Sequence, residues 1–222
     1  MDYRALYDAF DAPTTSMDCG EMCAPHNPAG IPFCCDICHA VPVAYHSEWQ
    51  YLKRHTTLWH TWRGDECQIK KSDRDQLIAQ TPPHLLLLAC EGPATCERKL
   101  RAVSCRQFPF FPYFTSDYRF IGMTYDWNFV DQCWLISNLP LVSKEYRDQF
   151  FATFDQIFAT WLEDMNSYIE LSAETREHYA AIHQRIPLLH RNGAAYLISP
   201  LSERMTRTPI TAFKRFSPYN TP

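Results

Sequence analysis

The sequence predicts an α+β fold, in which a loop-rich, cysteine-cluster half with a small irregular sheet precedes a helical C-terminal half. Three observations support this class. Apolar runs at 85–89 and 119–124 have the length of strands. Apolar residues between 146 and 169 recur every three or four positions, as on one face of a helix. All ten cysteines lie between positions 19 and 133, many in segments that proline interrupts.

In the first half, residues 44–62 contain neither Pro nor Gly and space their aromatic and leucine residues at helical intervals, which predicts a helix. Residues 85–89 and 119–124 then predict two strands. The segment between Cys23 and Cys34 contains three prolines and one glycine, so it should be a turn-rich loop that returns the chain towards its start.

In the second half, a long helix is expected to begin at Ser143 and to bury one apolar face. The face consists of Tyr146, Phe150, Phe154, Ile157, Trp161, Met165 and Ile169. A second helix should start at Ser172, a residue type that favours the N-cap, and end before Pro187. A short strand is expected over 194–199.

These elements predict one compact domain with three regions: a cysteine-cluster metal-binding region over 1–135, a helical region packed on it over 136–205, and a flexible tail over 206–222. The tail is rich in Thr and Pro, which favours loose attachment.

Composition excludes several classes of function. The longest apolar run is six residues, far short of the roughly 18 that span a membrane, so no membrane partner is expected. The formal net charge is -4 and no basic stripe occurs, which argues against a nucleic-acid partner. Six glycines and no glycine-rich loop leave no ordinary nucleotide cradle. The N-terminus lacks an apolar targeting segment, so a reducing cytoplasmic location is expected.

The cysteines fall into two clusters. The first reads Cys19-Gly-Glu-Met-Cys23, then ten residues, then Cys34-Cys35-Asp-Ile-Cys38-His39. The second reads Cys90, Cys96 and Cys105-Arg106-Gln-Phe-Pro. Closely spaced thiolates are how a compact metal centre collects its ligands, and soft sulfur selects zinc, copper(I) or iron-sulfur.

Three other interpretations are weaker. Buried cysteines can pack as small apolar side chains, which we expect of Cys67 but not of five cysteines within twenty positions. A disulfide framework would need an oxidising compartment. A thioredoxin-like pair at Cys35 and Cys38 would need a βαβ context, whereas prolines lie close on both sides.

The two clusters resemble the YkgJ-type cysteine-cluster family, which is described as a putative zinc- or iron-chelating domain. The similarity covers roughly residues 19–135. It lies in the Cys34-Cys35 pair, Cys90, and the spacing from Cys96 through Cys105-Arg106-Gln-Phe-Pro109. The family often has Arg-Pro in that spacer and a later Cys-Pro-Gly, where this chain has Arg101-Ala102 and Cys133-Trp134-Leu135. The cysteine region is also distantly similar to that of flagellin lysine N-methylase, which implies an iron-sulfur cluster.

We therefore predict a metal or cluster partner, with an iron-sulfur cluster favoured over zinc because only one Cys-x2-Cys pair occurs. The ligands should come from a set of eight thiols: Cys19, Cys23, Cys34, Cys35, Cys38, Cys90, Cys96 and Cys105. Cys133 and His39 are candidate extra ligands, and the guanidinium groups of Arg101 and Arg106 should offset the cluster's negative charge from a second layer.

Two functional hypotheses stay open from the sequence. The first is a non-catalytic metal-binding module whose thiolates organise the loops. The second is a redox or group-transfer enzyme, methylase-like, that uses the same cluster at an open coordination position. The sequence identifies no catalytic residue, substrate or protein partner.

Overall fold

A computed structural model describes residues 1–220, which form two compact units. The first comprises Met1–Asp11 and Gly20–Phe108, and the second comprises Ala12–Cys19 and the chain from Pro109 onward. Helices and antiparallel strands occur in both, which confirms the predicted α+β class. The main division falls between 108 and 109, upstream of the position expected at 135.

The first unit is built from short elements separated by loops. In chain order they are α1 (Tyr3–Ala9), α2 (Cys19–Cys23, which begins at the boundary with the second unit), β1 (Val43–Tyr45), α3 (His46–His55), β2 (Trp59–Thr61), α4 (Lys71–Gln80), β3 (Leu85–Cys90) and α5 (Val103–Gln107). The predicted strand at 85–89 is β3, and it lies between β1 and β2 in a three-stranded antiparallel sheet.

The helix predicted over 44–62 is shorter in the structure. Only His46–His55 is helical, because the residues at both ends of the predicted segment pair with β3. Ala44 lies opposite Leu86, and Trp59 lies opposite Cys90. Long-range strand pairing therefore overrides the local helical pattern at both ends.

The second unit contains a five-stranded antiparallel sheet with two long helices inserted between its second and third strands. Its elements are β4 (Phe110–Phe114), β5 (Phe120–Tyr125), α6 (Lys144–Thr160), α7 (Leu162–Ala181), β6 (Ile186–His190), β7 (Ala195–Ile198) and β8 (Met205–Arg207). The strands are neighbours in sequence order. The sheet has more strands than the one predicted for the helical half. That strand, 194–199, is β7, and the strand predicted at 119–124 in the first half is β5.

Helix α6 begins as predicted: the Ser143 hydroxyl caps it by accepting a hydrogen bond from the Tyr146 amide at 3.1 Å. The helix ends at Thr160, because Trp161 adopts an extended backbone before α7 begins. Ser172 lies inside α7 and is not an N-cap. Its buried hydroxyl donates to the Tyr168 carbonyl and accepts from the Phe114 amide, which ties α7 to β4.

The apolar face of α6 lies in the core, where Phe150, Phe154 and Ile157 are fully buried. The tail predicted from 206 contributes the end of β8, and Phe213 and Tyr219 are buried there. Among the described residues, no helix is long and apolar enough to cross a membrane.

A candidate cysteine metal centre

Five of the predicted ligands line one cavity in the first unit. The cavity has a volume of about 40 Å³, which exceeds the roughly 10–15 Å³ that one water molecule needs on the same measure. The sulfur-bearing residues that line it are Cys34, Cys35, Cys90, Cys96 and Cys105. They come from both sequence clusters, so the fold brings together segments that are more than fifty residues apart.

The first two thiols lie on a tight turn. Residues Phe33–Cys35 form a 3-10 turn that Pro32 starts, and the Cys35 amide donates to the Pro32 carbonyl at 2.8 Å. The following Asp36 is buried and holds the loop: its carboxylate accepts from the Asn27 side-chain amide at 3.1 Å and from the Cys38 amide at 3.0 Å. Asp36 thus fixes the turn that presents Cys34 and Cys35.

The other three thiols lie at the end of β3 and in the chain that follows it. Cys90 is the last residue of β3, and Gly92, with a φ of 92°, turns the chain away from the sheet. Cys96 follows a 3-10 turn and donates its amide to the Pro93 carbonyl at 3.3 Å. Cys105 lies in the short helix α5. A strand end, a turn and a helix therefore each supply one sulfur.

Arg101, which was predicted to lie in a second layer around a cluster, lies beside the thiols. Its Nε–H donates to the Cys96 sulfur at 3.1 Å, and it lines the same cavity. Burial alone would lower the pKa of Arg101, but the bond to Cys96 and the charges of Cys96, Cys35 and Cys105 raise it above its ordinary value. Arg101 is therefore a fixed positive charge among the sulfurs.

Two of these thiols, those of Cys90 and Cys105, have a raised pKa. Burial raises the pKa of Cys105, and the neighbouring sulfurs of Cys90, Cys35 and Cys96 raise it further, against the opposing charge of Arg101. Burial likewise raises the pKa of Cys90, and Cys35 and Cys96 add to this effect. Cys35 and Cys96 therefore act in the same direction at both Cys90 and Cys105.

The walls of the cavity are apolar. They include Ile37, Pro42, Leu58 and Trp59, and the described lining contains no carboxylate or imidazole. Trp59 is buried and donates its indole N–H to the Leu100 carbonyl at 2.8 Å, which ties β2 to the segment that carries Arg101. Leu58 and Trp59 were not predicted as wall residues, because residues 44–62 were assigned to a helix.

Arg106 acts on the loop before α5. Its guanidinium donates to main-chain carbonyls, including those of Arg101 and Lys99, both at 2.8 Å, and of Tyr7 at 3.0 Å and Phe10. It also lies over the Tyr7 ring, 4.2 Å from the ring centroid. Arg106 therefore holds the 98–101 loop, and with it Arg101, through the backbone.

A buried carboxylate holds the start of α5 and was missed by sequence reasoning. Glu48 is fully buried and accepts from the Val103 amide at 2.8 Å and from the Tyr7 hydroxyl at 2.6 Å. Burial raises the pKa of Glu48 to about 7, although those hydrogen bonds and the Arg106 charge oppose the rise. In sequence, Glu48 looks like an ordinary acidic residue in the first turn of a helix.

The structure places several predicted ligands elsewhere. Cys38 forms a disulfide with Cys67, which corrects both the prediction of Cys38 as a ligand and that of Cys67 as a packed thiol. Cys23 is buried, and its thiol points to the Gly20 carbonyl at 3.6 Å. His39 lies against Phe33 and 3.7 Å from the Asp36 carboxylate. Cys19 and Cys133 belong to the second unit.

Within residues 1–220, no group of three or more His, Cys, Asp or Glu side chains is placed so that it could hold a metal ion as the side chains stand.

No protein-family model matches the chain, and neither a curated protein nor a solved structure is significantly similar to it. The resemblance to the YkgJ-type family therefore stays a prediction.

Proposed function

We propose that this chain is a metal-binding protein whose cysteine cavity holds an iron-sulfur cluster. The observation that carries the proposal is the convergence of five cysteines from separate segments on one cavity. Cysteines that merely pack as apolar side chains have no reason to gather in this way, whereas thiolate ligands must.

The chemistry of the lining supports a sulfur-ligated centre. Sulfur is the only ligand type among the described side chains that line the cavity, and soft thiolates favour iron-sulfur clusters, zinc and copper(I) over harder ions. Apolar walls restrict water around the site, which is one of the ways a protein tunes such a centre.

We assign the four ligands to Cys35, Cys90, Cys96 and Cys105. All four line the cavity, Cys35 and Cys96 both add to the raised pKa values of Cys90 and Cys105, and four cysteines are the usual complement of a two-iron or four-iron cluster. Cys34 lines the same cavity, with its sulfur 4.0 Å from that of Cys35, and stands next to the ligand set.

Arg101 complements a cluster of this kind. Four thiolates give the centre a net negative charge, and the Arg101 guanidinium offsets part of it while its Nε–H bonds the Cys96 sulfur. The proposal is one of metal binding and assigns no reaction to the centre.

The test is anaerobic reconstitution of the full chain with ferrous iron and sulfide, followed by removal of unbound metal. We expect a broad visible absorption band, bound iron and acid-labile sulfide, with Cys35→Ser and Cys105→Ser each losing most of all three. The matched control is the double variant Cys38→Ser/Cys67→Ser, which removes the disulfide pair and keeps the five cavity thiols. It should bind iron as the unmodified chain does.

Two results would contradict the proposal in different ways. Full metal content in Cys105→Ser would overturn the cavity as the metal site. A colourless chain that binds zinc through the same cysteines would overturn the iron-sulfur assignment and leave thiolate metal binding in place.

A further inference from the structure

The second unit contains an open cleft of about 600 Å³, within the usual range for small-molecule sites. It is formed by the chain just before α6, the first turns of α6, the β6–β7 turn and the segment around the end of β8. Its polar side chains include Arg147 and Arg207, and its described lining contains no acidic residue.

Arg147 has unused hydrogen-bonding capacity. It projects from α6, and its Nε is buried with no hydrogen-bond partner among residues 1–220. The only side-chain bond it makes in that part of the chain runs from Nη1 to the Gly193 carbonyl, at a long 3.5 Å. A buried donor without a partner is unfavourable, and such groups usually mark a place where a ligand or water completes the bonding.

Arg207 adds a second positive charge to the same cleft. It is an exposed residue at the end of β8, and within the described part of the chain its side chain forms no ion pair or hydrogen bond. Two arginines in a lining that contains no described acidic residue give the cleft a positive potential that an anion would neutralise.

The rest of the cleft is largely apolar. Pro140, Val142, Ala195 and Ile210 line it beside the two arginines. A ligand that fills it would therefore need an apolar body as well as an anionic head, because a bare inorganic anion would leave the apolar wall uncovered.

We propose that this cleft binds a small organic oxyanion, a carboxylate or phosphate group attached to an apolar body. A planar guanidinium matches two oxygens of such a group, and an oxyanion bound side-on takes hydrogen bonds from Nε and one Nη. It would supply the partner that Arg147 Nε lacks. The inference concerns the second unit alone and does not depend on a metal centre in the first.

Isothermal titration calorimetry of the full chain at low salt tests the site, with phenyl phosphate and phenylacetate as probes. Inorganic phosphate and the neutral benzyl alcohol are the comparison ligands. We expect at least one of the two organic anions to bind, and Arg147→Gln and Arg207→Gln each to weaken it about tenfold. Whichever probe binds more tightly identifies the head group as phosphate or carboxylate.

The matched control is Arg204→Gln, because Arg204 is an exposed arginine that does not line the cleft. It should leave the affinity within about twofold of that of the unmodified chain. Arg207→Gln, at an exposed position, keeps the test decisive if Arg147→Gln fails to fold, which the thermal midpoint of each variant reports.

Four results would overturn the proposal: no binding of either organic anion at millimolar concentration, an equal loss in Arg204→Gln, equal affinity for benzyl alcohol, or equal affinity for inorganic phosphate. Either of the first two results would show that the anion does not bind in this cleft. The third would show that the charge of the ligand does not matter, and the fourth that its apolar body does not.

Discussion

Arg101 donates its Nε–H to the sulfur of Cys96 across 3.1 Å, and its own carbonyl accepts a hydrogen bond from the buried Arg106. One residue thus joins the cysteine cavity to the backbone scaffold that Arg106 holds. The scaffold fixes the position of Arg101, which explains how a long side chain can stay beside a thiol.

This relationship predicts the effect of Arg101→Gln on a cluster-loaded chain. The positive charge and the bond to sulfur both stabilise the reduced state of the cluster, which is the more negative one. Their loss should therefore lower the reduction potential, on the order of 50 mV. Arg101→Lys keeps the charge and should show a smaller fall. Dye-mediated potentiometric titration measures both variants, and equal potentials in all three proteins would contradict the role given to Arg101.

Arg106→Gln should destabilise the first unit strongly. The guanidinium is buried and bonds several main-chain carbonyls, so its loss leaves those acceptors without donors. We expect the free energy of unfolding in urea to fall by about 3 kcal/mol. The exposed Arg54 of α3 supplies a matched control, since Arg54→Gln should change stability by less than about 0.5 kcal/mol. A similarly small change in Arg106→Gln would show that those carbonyls are satisfied in another way.

The raised pKa of Glu48 predicts that the free energy of unfolding falls as pH rises. Because the pKa of Glu48 is raised from 4.5 to about 7 in the folded chain, the folded state holds this proton more tightly than the unfolded state. The stabilisation is complete below about pH 4.5 and is lost as pH rises through about 7, a total on the order of 3 kcal/mol.

Glu48→Gln isolates this effect. Glutamine can still accept from Val103 and Tyr7 but does not titrate, so the downward slope between about pH 4.5 and 7 should be absent from the variant and should remain in the difference between the two proteins. Urea unfolding at several pH values measures the slope. Parallel pH profiles for the two proteins would mean that Glu48 titrates normally.

Apolar runs and capping side chains predicted the elements of the fold that local sequence determines. The strand at 85–89 and the Ser143 cap follow from an apolar run and a capping side chain, and both are present. The break at Trp161 could not be seen, because the apolar spacing continues across it. The ends of the helix predicted over 44–62 became strands because they pair with β3, a contact that no local pattern records.

The candidate site likewise contains residues that local sequence identifies and residues that it does not. Clustered spacing identified all five cysteines that line the cavity, and the position of Arg101 in the spacer between Cys96 and Cys105 identified that arginine. Glu48 and Trp59 were missed because their roles depend on distant partners, Val103 for one and Leu100 for the other. The pairing of Cys38 with Cys67 was missed for the same reason, since the two lie 29 residues apart.

That disulfide makes the stability of the first unit depend on redox conditions. It closes a loop of 29 residues, which in the chain-entropy model stabilises the folded state by about 3.5 kcal/mol. A phosphine reductant, added with a chelator so that metal contributes nothing, should therefore lower the free energy of unfolding by roughly this amount.

The double variant Cys38→Ser/Cys67→Ser should start at the lower value and not respond to reductant, because no other cysteine of the described chain is in a disulfide. Equal sensitivity of the variant and the unmodified chain would show that the reductant acts at another site, and no sensitivity in either would show that the Cys38–Cys67 bond contributes no net stability.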